Sequence, residues 1–401
     1  MARLFPGNFY LYAARAVRGF GDGFAAIILP AYLSALGFSS FETGLVATAA
    51  LLGSALLTLL IGLVAPRYGL RTLLLVCAGL MVVTGVGLAS LHYFVFILLI
   101  AFIGTVNPTI GDIGVHVPLE QTFVTGGSLD DERTRILAKY SLIGALSIAA
   151  GALAAGAPDS FLFSSADKTK ALQFMFVFYG GLGIITGILY FKLPPDHSKQ
   201  EQQTSPLGPS RGIVYKLAAL FSLDAFASGF VAQSLLAFWL FQKFELSLGA
   251  ASTFFFWSNL LSAFSYPVAG YLGTKFGLVN TIVFTHLPAA ACLIIAAFTP
   301  NLTVVLILLL VRSALSQMDV PTRTSYVLAV VTPAERPAAA SFTAVPRSLA
   351  ASISPAISGA LLATSFAGMP LVISGVLKSI YDLTLLFSFR HLRPPEEQGS
   401  R

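Results

Sequence analysis

Charge is scarce in this chain. Of 401 residues only 18 are Asp or Glu and 24 are Lys or Arg, 10% in all, where soluble domains typically carry about 25%. So few charges cannot build an ordinary water-facing surface. The two cysteines, Cys77 and Cys292, lie inside apolar stretches, which excludes a disulfide framework and gives no sign of redox chemistry. The five histidines (His92, His116, His197, His286 and His391) are scattered. No H-E-x-x-H, G-x-S-x-G or G-x-x-x-x-G-K-[ST] occurs, so zinc hydrolases, serine hydrolases and phosphate-loop ATPases lack their motifs here. No enzymatic activity, cofactor or metal is expected. The first apolar stretch is interrupted by Arg15, Arg18 and Asp22 and has no small-residue cleavage site, so it reads as a retained helix and not as a removable signal.

Hydrophobic residues make up 56% of the chain. They are grouped into long apolar stretches, and a helix needs roughly 20 residues to cross about 30 Å of hydrocarbon. Twelve such helices are predicted, over 9–34, 43–65, 71–90, 92–121, 136–157, 171–191, 214–240, 251–270, 279–298, 302–328, 338–363 and 370–390. Lys and Arg are retained on the cytoplasmic side of a membrane. With the N-terminus inside, Arg3, Arg67, Arg71, Arg133, Lys192, Arg211, Lys275, Arg336 and Arg390 are among the many internal basic residues, against Lys168, Lys170 and Lys243 outside. Both termini are therefore expected in the cytoplasm. The same bias accounts for the net charge of +6 and leaves no reason to expect nucleic acid as a partner.

The chain repeats itself. His116-Val117-Pro118 through Glu132-Arg133 returns as Asp319-Val320-Pro321 through Glu335-Arg336, at a constant offset of 203 residues. Gly62-x-x-x-x-Arg67-Tyr68-Gly69-Leu70 returns as Gly270-x-x-x-x-Lys275-Phe276-Gly277-Leu278, at an offset of 208. A Pro-, Gln- and Ser-rich stretch between the copies cannot bury enough apolar surface to fold alone. The expected division is thus a six-helix bundle over 1–191, a cytoplasmic linker over 192–213 and a second bundle over 214–401. In a chain this apolar, such a duplication points to a carrier with its site between the halves.

Twelve helices, a mid-chain linker and this duplication resemble the major facilitator superfamily of secondary transporters, in its twelve-helix bacterial form. Gly62, Arg67, Gly69 and Arg71 match the family's signature loop between helices two and three, while Pro66, and Thr274 in the second copy, stand where the family has an acid. The resemblance implies an all-α fold of two pseudo-symmetric bundles, with helices one, four, seven and ten lining the central path. It also implies gate charges at Glu132, Arg133, Glu335 and Arg336, with Arg67, Arg71 and Lys275 as partners. The family's antiporter-associated Gly-Pro pattern is absent from helix five, so direction stays open. Many bacterial members of this length are exporters, which by analogy favours efflux by an antiporter over uptake.

A charge near the bilayer centre costs roughly 2.5 to 3.5 kcal/mol on insertion scales, so each needs a partner, a wet cavity or a function. Helix one carries Arg15, Arg18 and Asp22 on one face, and helix four carries Asp112, His116 and Glu120 on one face. Helix seven carries Asp224, helix ten Arg312, Asp319 and Arg323, helix eleven Arg347, and helix twelve Lys378 and Asp382. Aligning Gly23-Phe24 with Gly229-Phe230 sets Arg18 in the position of Asp224, and the 203-residue repeat sets Glu120 in the position of Arg323. Opposite charges are then expected to meet across the halves. Among the deeper groups acids and bases balance, so complete internal pairing with no substrate role is the alternative.

Arg18, Arg312 and Arg347, with Asn107, Gln233 and Asn259, are the candidate substrate contacts, because guanidinium groups match oxyanions. Asp22, Asp112, His116 and Asp224 are the proton-coupling candidates, His116 because imidazole titrates near neutrality. Glu120, Asp319 and Arg323 join the gate. The expected function is proton-coupled movement of a small organic, anionic or zwitterionic solute by alternating access, in the inner (plasma) membrane and as a monomer. The alternatives are proton-coupled uptake of a metabolite and a membrane sensor on the same scaffold.

Overall fold

The computed structural model describes residues 6–65, 67–109, 114–125, 130–160, 168–194, 208–319, 323, 326–327, 330–332 and 335–389. The elements assigned among them are helices, with no strand. In chain order they are α1 (Pro6–Ala35), α2 (Ser40–Val64), α3 (Leu70–Ser90), α4 (Phe94–Ile103), α5 (His116–Thr125), α6 (Asp130–Ala154), α7 (Ala157–Ser160), α8 (Lys168–Phe191), α9 (Arg211–Gly229), α10 (Gln233–Phe244), α11 (Leu248–Phe276), α12 (Leu278–Phe298), α13 (Leu302–Ser316), α14 (Arg336–Leu362) and α15 (Met369–Phe389). Seven candidate spans among the described residues are long and apolar enough to cross a membrane. Leu63, Phe174, Phe284 and Phe387 are exposed on them, as lipid-facing side chains should be.

Local chemistry sets several of the ends. The Ser39 hydroxyl accepts from the Glu42 N–H while the Glu42 carboxylate accepts from the Ser39 N–H at 2.8 Å, a capping box that starts α2. The Asn301 side chain accepts from the Val304 N–H and starts α13.

Three predicted spans differ from the structure. The fourth, expected unbroken over 92–121, is helical over Phe94–Ile103 and resumes at His116, and residues 104–109 and 114–115 are not helical. Pro108 disfavours the α conformation at Asn107, and the Asn107 side-chain Oδ1 instead accepts from the Thr109 N–H and hydroxyl at 2.9 and 2.8 Å. The seventh, expected over 214–240, ends at Gly229 and restarts at Gln233. The tenth, expected over 302–328, has its α13 segment end at Ser316.

The chain forms two compact units. Unit 1 is Met1–Glu201 with Ala232–Asn259, and unit 2 is Gln202–Val231 with Leu260–Arg401. Unit 1 takes in α10 and the start of α11 because α10 packs on α1 and α2, while the Asp159 carboxylate accepts the Gly249 N–H at 2.8 Å.

Within unit 1, α1 lies against α6 and α3 against α8. The first crossing is so close that a Cβ on Gly23 would sit 2.2 Å from the Ile148 carbonyl oxygen, and one on Gly151 would sit 2.0 Å from that of Phe20. Unit 2 repeats the crossing with α9 on α14, where a Cβ on Gly229 would meet the Ala351 carbonyl oxygen at 2.6 Å and Ser354 Oγ at 2.1 Å. Ile148 and Ala351, like Gly151 and Ser354, are 203 residues apart. Small residues buy this approach of helix backbones, which in lipid supplies packing energy that the hydrophobic effect does not. Each unit also has an apolar core at matching places. Leu11, Leu74, Cys77, Val117, Tyr140 and Tyr190 belong to the first, and Val214, Leu217, Ile282, Val283, Tyr326 and Tyr381 to the second.

Candidate functional site

In unit 1 the charges gather where α1, α5, α6 and α8 meet. Arg18, buried, donates from Nη2 to Glu120 Oε2 at 2.7 Å and from Nη1 to Asp22 Oδ2 at 3.2 Å. Glu120 is fully buried and accepts two further hydrogen bonds, from the hydroxyls of Tyr140 and Tyr190. Asp22 accepts from the Tyr179 hydroxyl at 3.4 Å, which in turn lies 3.3 Å from Thr105 Oγ1. Arg15 stacks over the Tyr140 ring at 4.9 Å. Each Glu120 oxygen thus has a donor, two on Oε2 and one on Oε1, the kind of satisfaction under which a buried ion pair persists.

In unit 2 the corresponding place is built from α9, α12, α15 and the segment after α13. Arg323 Nη1 lies 2.6 Å from Asp319 Oδ2 and 3.4 Å from Asp224 Oδ2, while Lys378 Nζ lies 2.7 Å from Asp224 Oδ1. His286 stands between two acids, with Nε2 3.4 Å from Asp319 Oδ1 and Nδ1 3.3 Å from Asp382 Oδ1. No group of His, Cys, Asp and Glu is placed to hold a metal ion among the described residues. The two carboxylates at His286 sit on opposite ring nitrogens and do not converge.

Glu120 and Arg323, expected to meet across the halves, each have partners inside their own unit, Glu120 with Arg18 and Arg323 with Asp224 and Asp319. The repeat places both residues correctly but not their partners, because a desolvated charge takes the nearest hydrogen-bonding counter-charge. Arg18–Glu120 and Asp224–Arg323 then occupy the same pair of positions with the signs reversed.

Of the gate residues expected from the resemblance, the structure describes the side chains of Glu335, Arg67, Arg71 and Lys275. Glu335 is buried and accepts from the N–H groups of Gly208 and Ser210, at 2.6 and 3.2 Å, and from the hydroxyls of Ser210 and Thr332, at 2.7 and 2.6 Å. The hydroxyls of Thr332 and Ser210 lead in holding its carboxyl down at about 2. Arg71 donates to the Phe191 carbonyl oxygen at 2.5 Å and stacks on the ring of Phe191. Arg67 is exposed, and Lys275 lies over the rings of Tyr271 and Phe276. Asp112 lies outside the described residues, as do the side chains of Glu132, Arg133 and Arg336 and most of the 192–213 linker.

His116 is buried one turn before Glu120 and its Nε2 has no hydrogen-bond partner among the described residues. Without a continuous helix through 104–115, the expected ladder reduces to His116 and Glu120 among the described residues.

The breaks in the fourth and seventh spans meet within unit 1. The Ser234 N–H donates to the Pro108 carbonyl oxygen at 3.1 Å, which brings the chain at Asn107 next to the start of α10 at Gln233. Gln233 Nε2, Ser234 Oγ and Asn259 Nδ2 are buried without hydrogen-bond partners among the described residues. Arg312 and Arg347 are half-buried and form no ion pair with a described residue.

His286 and the three tyrosines are what the reading of the sequence missed. The available signal was a single imidazole in the middle of an otherwise apolar span, which marks a functional position in a membrane helix.

The model of the Major Facilitator Superfamily matches residues 11–242, more than half of the chain. The chain belongs to the Major Facilitator Superfamily. It is accordingly a membrane transporter and not an enzyme. Its fold is similar to that of a D-xylose-proton symporter (TM-score 0.77, 16% identity, 98% of this chain and 99% of that one). It is similar also to the nucleoside transporter NupG (TM-score 0.72, 13% identity, 96% and 99%). Among curated proteins, an uncharacterised membrane protein of Saccharomyces cerevisiae (strain ATCC 204508 / S288c) is 20% identical over 94% of this chain and 93% of its own length. For this superfamily member the two solved structures establish the fold alone.

Proposed function

We propose that this transporter moves a small anionic or zwitterionic organic solute by alternating access, coupled to protons. The reading also places it in a plasma membrane with both termini cytoplasmic, as two six-helix bundles joined at 192–213. One observation carries the sign of the solute. Every described acid in the unit 2 cluster is already engaged with Arg323, Lys378 or His286, while Arg312 and Arg347 form no ion pair with a carboxylate among the described residues. A surplus of guanidinium at membrane depth suits an oxyanion, whose planar geometry it matches with two parallel donors.

The start of α10 supports the same reading. A helix N-terminus favours negative charge, and here it is flanked by the unpartnered amide of Gln233 and by Asn107. Discontinuous helices form the binding sites of many secondary transporters for this reason. Export is preferred to uptake by analogy with bacterial relatives of this length, and a proton serves as the coupling ion for the D-xylose-proton symporter of like fold.

The test is uptake and efflux in proteoliposomes over a panel of organic anions, cations and neutral compounds, with and without a pH gradient. Anions or zwitterions should move, and Arg347→Lys or Arg312→Lys should weaken their transport by about tenfold or more without loss of expression, because Lys keeps the charge and loses the fork. Preference for lipophilic cations, unaffected by either change, overturns the reading.

A further inference from the structure

His286 has acceptors on both sides. On Nε2 they are the Ser316 carbonyl oxygen, at 3.2 Å, and Asp319 Oδ1, at 3.4 Å. The carbonyl can only accept, as can Asp319 while it is ionised beside Arg323, so Nε2 carries hydrogen. In a neutral imidazole Nδ1 is then a bare lone pair, yet it faces Asp382 Oδ1 at 3.3 Å. Two lone pairs in contact repel. One more proton is therefore required, on Nδ1 or on Asp382.

Asp382 sharpens the demand. Its side chain is fully buried and neither oxygen has a hydrogen-bond partner among the described residues, the 3.3 Å approach of His286 Nδ1 included. An ionised carboxylate in that setting is costly unless it is paired with an imidazolium or neutralised by the missing proton. Lys378, one turn earlier on α15, is committed to Asp224 at 2.7 Å. Tyr381 offers its ring, 6.5 Å from that of His286. Arg323 binds Asp319 and Asp224, and Arg347 stands in the field of both. No described cation but His286 lies within ion-pair distance of Asp382, although Lys378 acts on it through the field.

We propose that His286 and Asp382, with Asp319 fixing the ring, form a binding site for one proton, and that this is the proton whose movement drives the solute. The proposal rests on the proton-coupled reading above and names its residues. The step transfers a proton alone: it arrives from water on one side, is held between Nδ1 and Asp382, and leaves to water on the other side. A metal ion is not served by carboxylates on opposite ring nitrogens. Asp319 is shared by His286 and Arg323, and Arg323 also reaches Asp224, so occupancy of the proton site and pairing of the buried arginine belong to one network. Coupling through such a network is reciprocal. Unit 1 has no copy of this site, since the position 208 residues before His286 is Ala78.

Two measurements test the proposal. In purified protein without solute, infrared difference spectra between acid and alkaline pH should show a carboxylic-acid band that Asp382→Asn removes and His286→Gln shifts, while Asp382→Glu retains one. In proteoliposomes a one-unit pH gradient coupled to one proton supports about tenfold accumulation. Asp382→Asn and His286→Gln should abolish that accumulation while solute exchange, which needs no net proton movement, falls far less. Asp382→Glu should keep accumulation and so controls for folding. An unchanged carboxyl band overturns the site, as does wild-type accumulation in both variants. A wild type that no pH gradient drives overturns the proton-coupled reading itself, and the coupling role with it.

Discussion

The two units use one pair of positions for opposite ends. In unit 1 the basic residue is on α1 and the acid on α5, and the pair is finished by tyrosine hydroxyls, which complete Glu120 without adding charge. In unit 2 the acid is on α9, the base is Arg323, and the surroundings are Lys378, Asp319, His286 and Asp382. Tyrosine hydroxyls add no charge at pH 7, whereas a histidine between two acids brings a group able to hold a second proton. Unit 1 therefore holds a fixed anchor and unit 2 a network with spare connections, although duplication began from one plan.

The largest expected effect separates anchor from network. Arg18→Ala strips the fully buried Glu120 of its nearest cation and should cost roughly 3–5 kcal/mol, the usual result of orphaning one member of a buried pair. Arg323→Ala leaves Asp224 with Lys378 and Asp319 with His286, so the loss should be nearer about 1.5–3 kcal/mol, that of a hydrogen bond to a charged group. Thermal unfolding in detergent measures both. Equal losses would end the distinction between the two units.

A middle-sized effect compares the two helix crossings. Gly23→Ala pushes a methyl group against backbone at Ile148 and Ala152, where nothing can be trimmed, and should cost about 1–3 kcal/mol through overpacking. Gly229→Ala meets Ser354 Oγ first and the Ala351 carbonyl oxygen second. Adding Ser354→Gly should recover part of that loss but not all. Full recovery would mean that the α9–α14 backbones can yield where α1–α6 cannot.

The smallest effect concerns Glu335. Its carboxyl is held down at about 2 from an ordinary 4.5, so it contributes stability fully above the unfolded value, and that contribution is lost as pH falls through the folded one. The difference in melting temperature between wild type and Glu335→Gln should be constant from pH 5 to 8 and shrink toward about pH 2. Glu132, 203 residues earlier, offers the matching test in the first repeat. A like pH profile for Glu132→Gln would extend the symmetry of the gate ends, and a flat one would confine the tie to unit 2.

Periodicity and composition made the helices legible, and the breaks after Ile103 and at Gly229 were the main misses. A proline such as Pro108 marks a break only if its neighbours do not restore the helix, and a glycine such as Gly229 marks one only if a partner backbone presses on it. Of the candidate site, the positions were readable and the pairings were not. His286 went unweighed because a lone imidazole has no meaning until its neighbours on other helices are known.

By itself, then, the amino-acid sequence determined that this chain is a membrane helix protein made by duplication, since apolar run length and a constant repeat offset are properties of the chain alone. It also determined which residues carry charge into the membrane and that positions 18 and 224, like 120 and 323, correspond. Only the tertiary structure decided that Glu120 pairs with Arg18 and that Arg323 pairs with Asp224 and Asp319, that tyrosines close one cluster, and that His286 bridges two acids. The physical reason is that a desolvated charge is satisfied by hydrogen bonds a few ångströms long, and which groups come that close depends on how helices far apart in sequence cross.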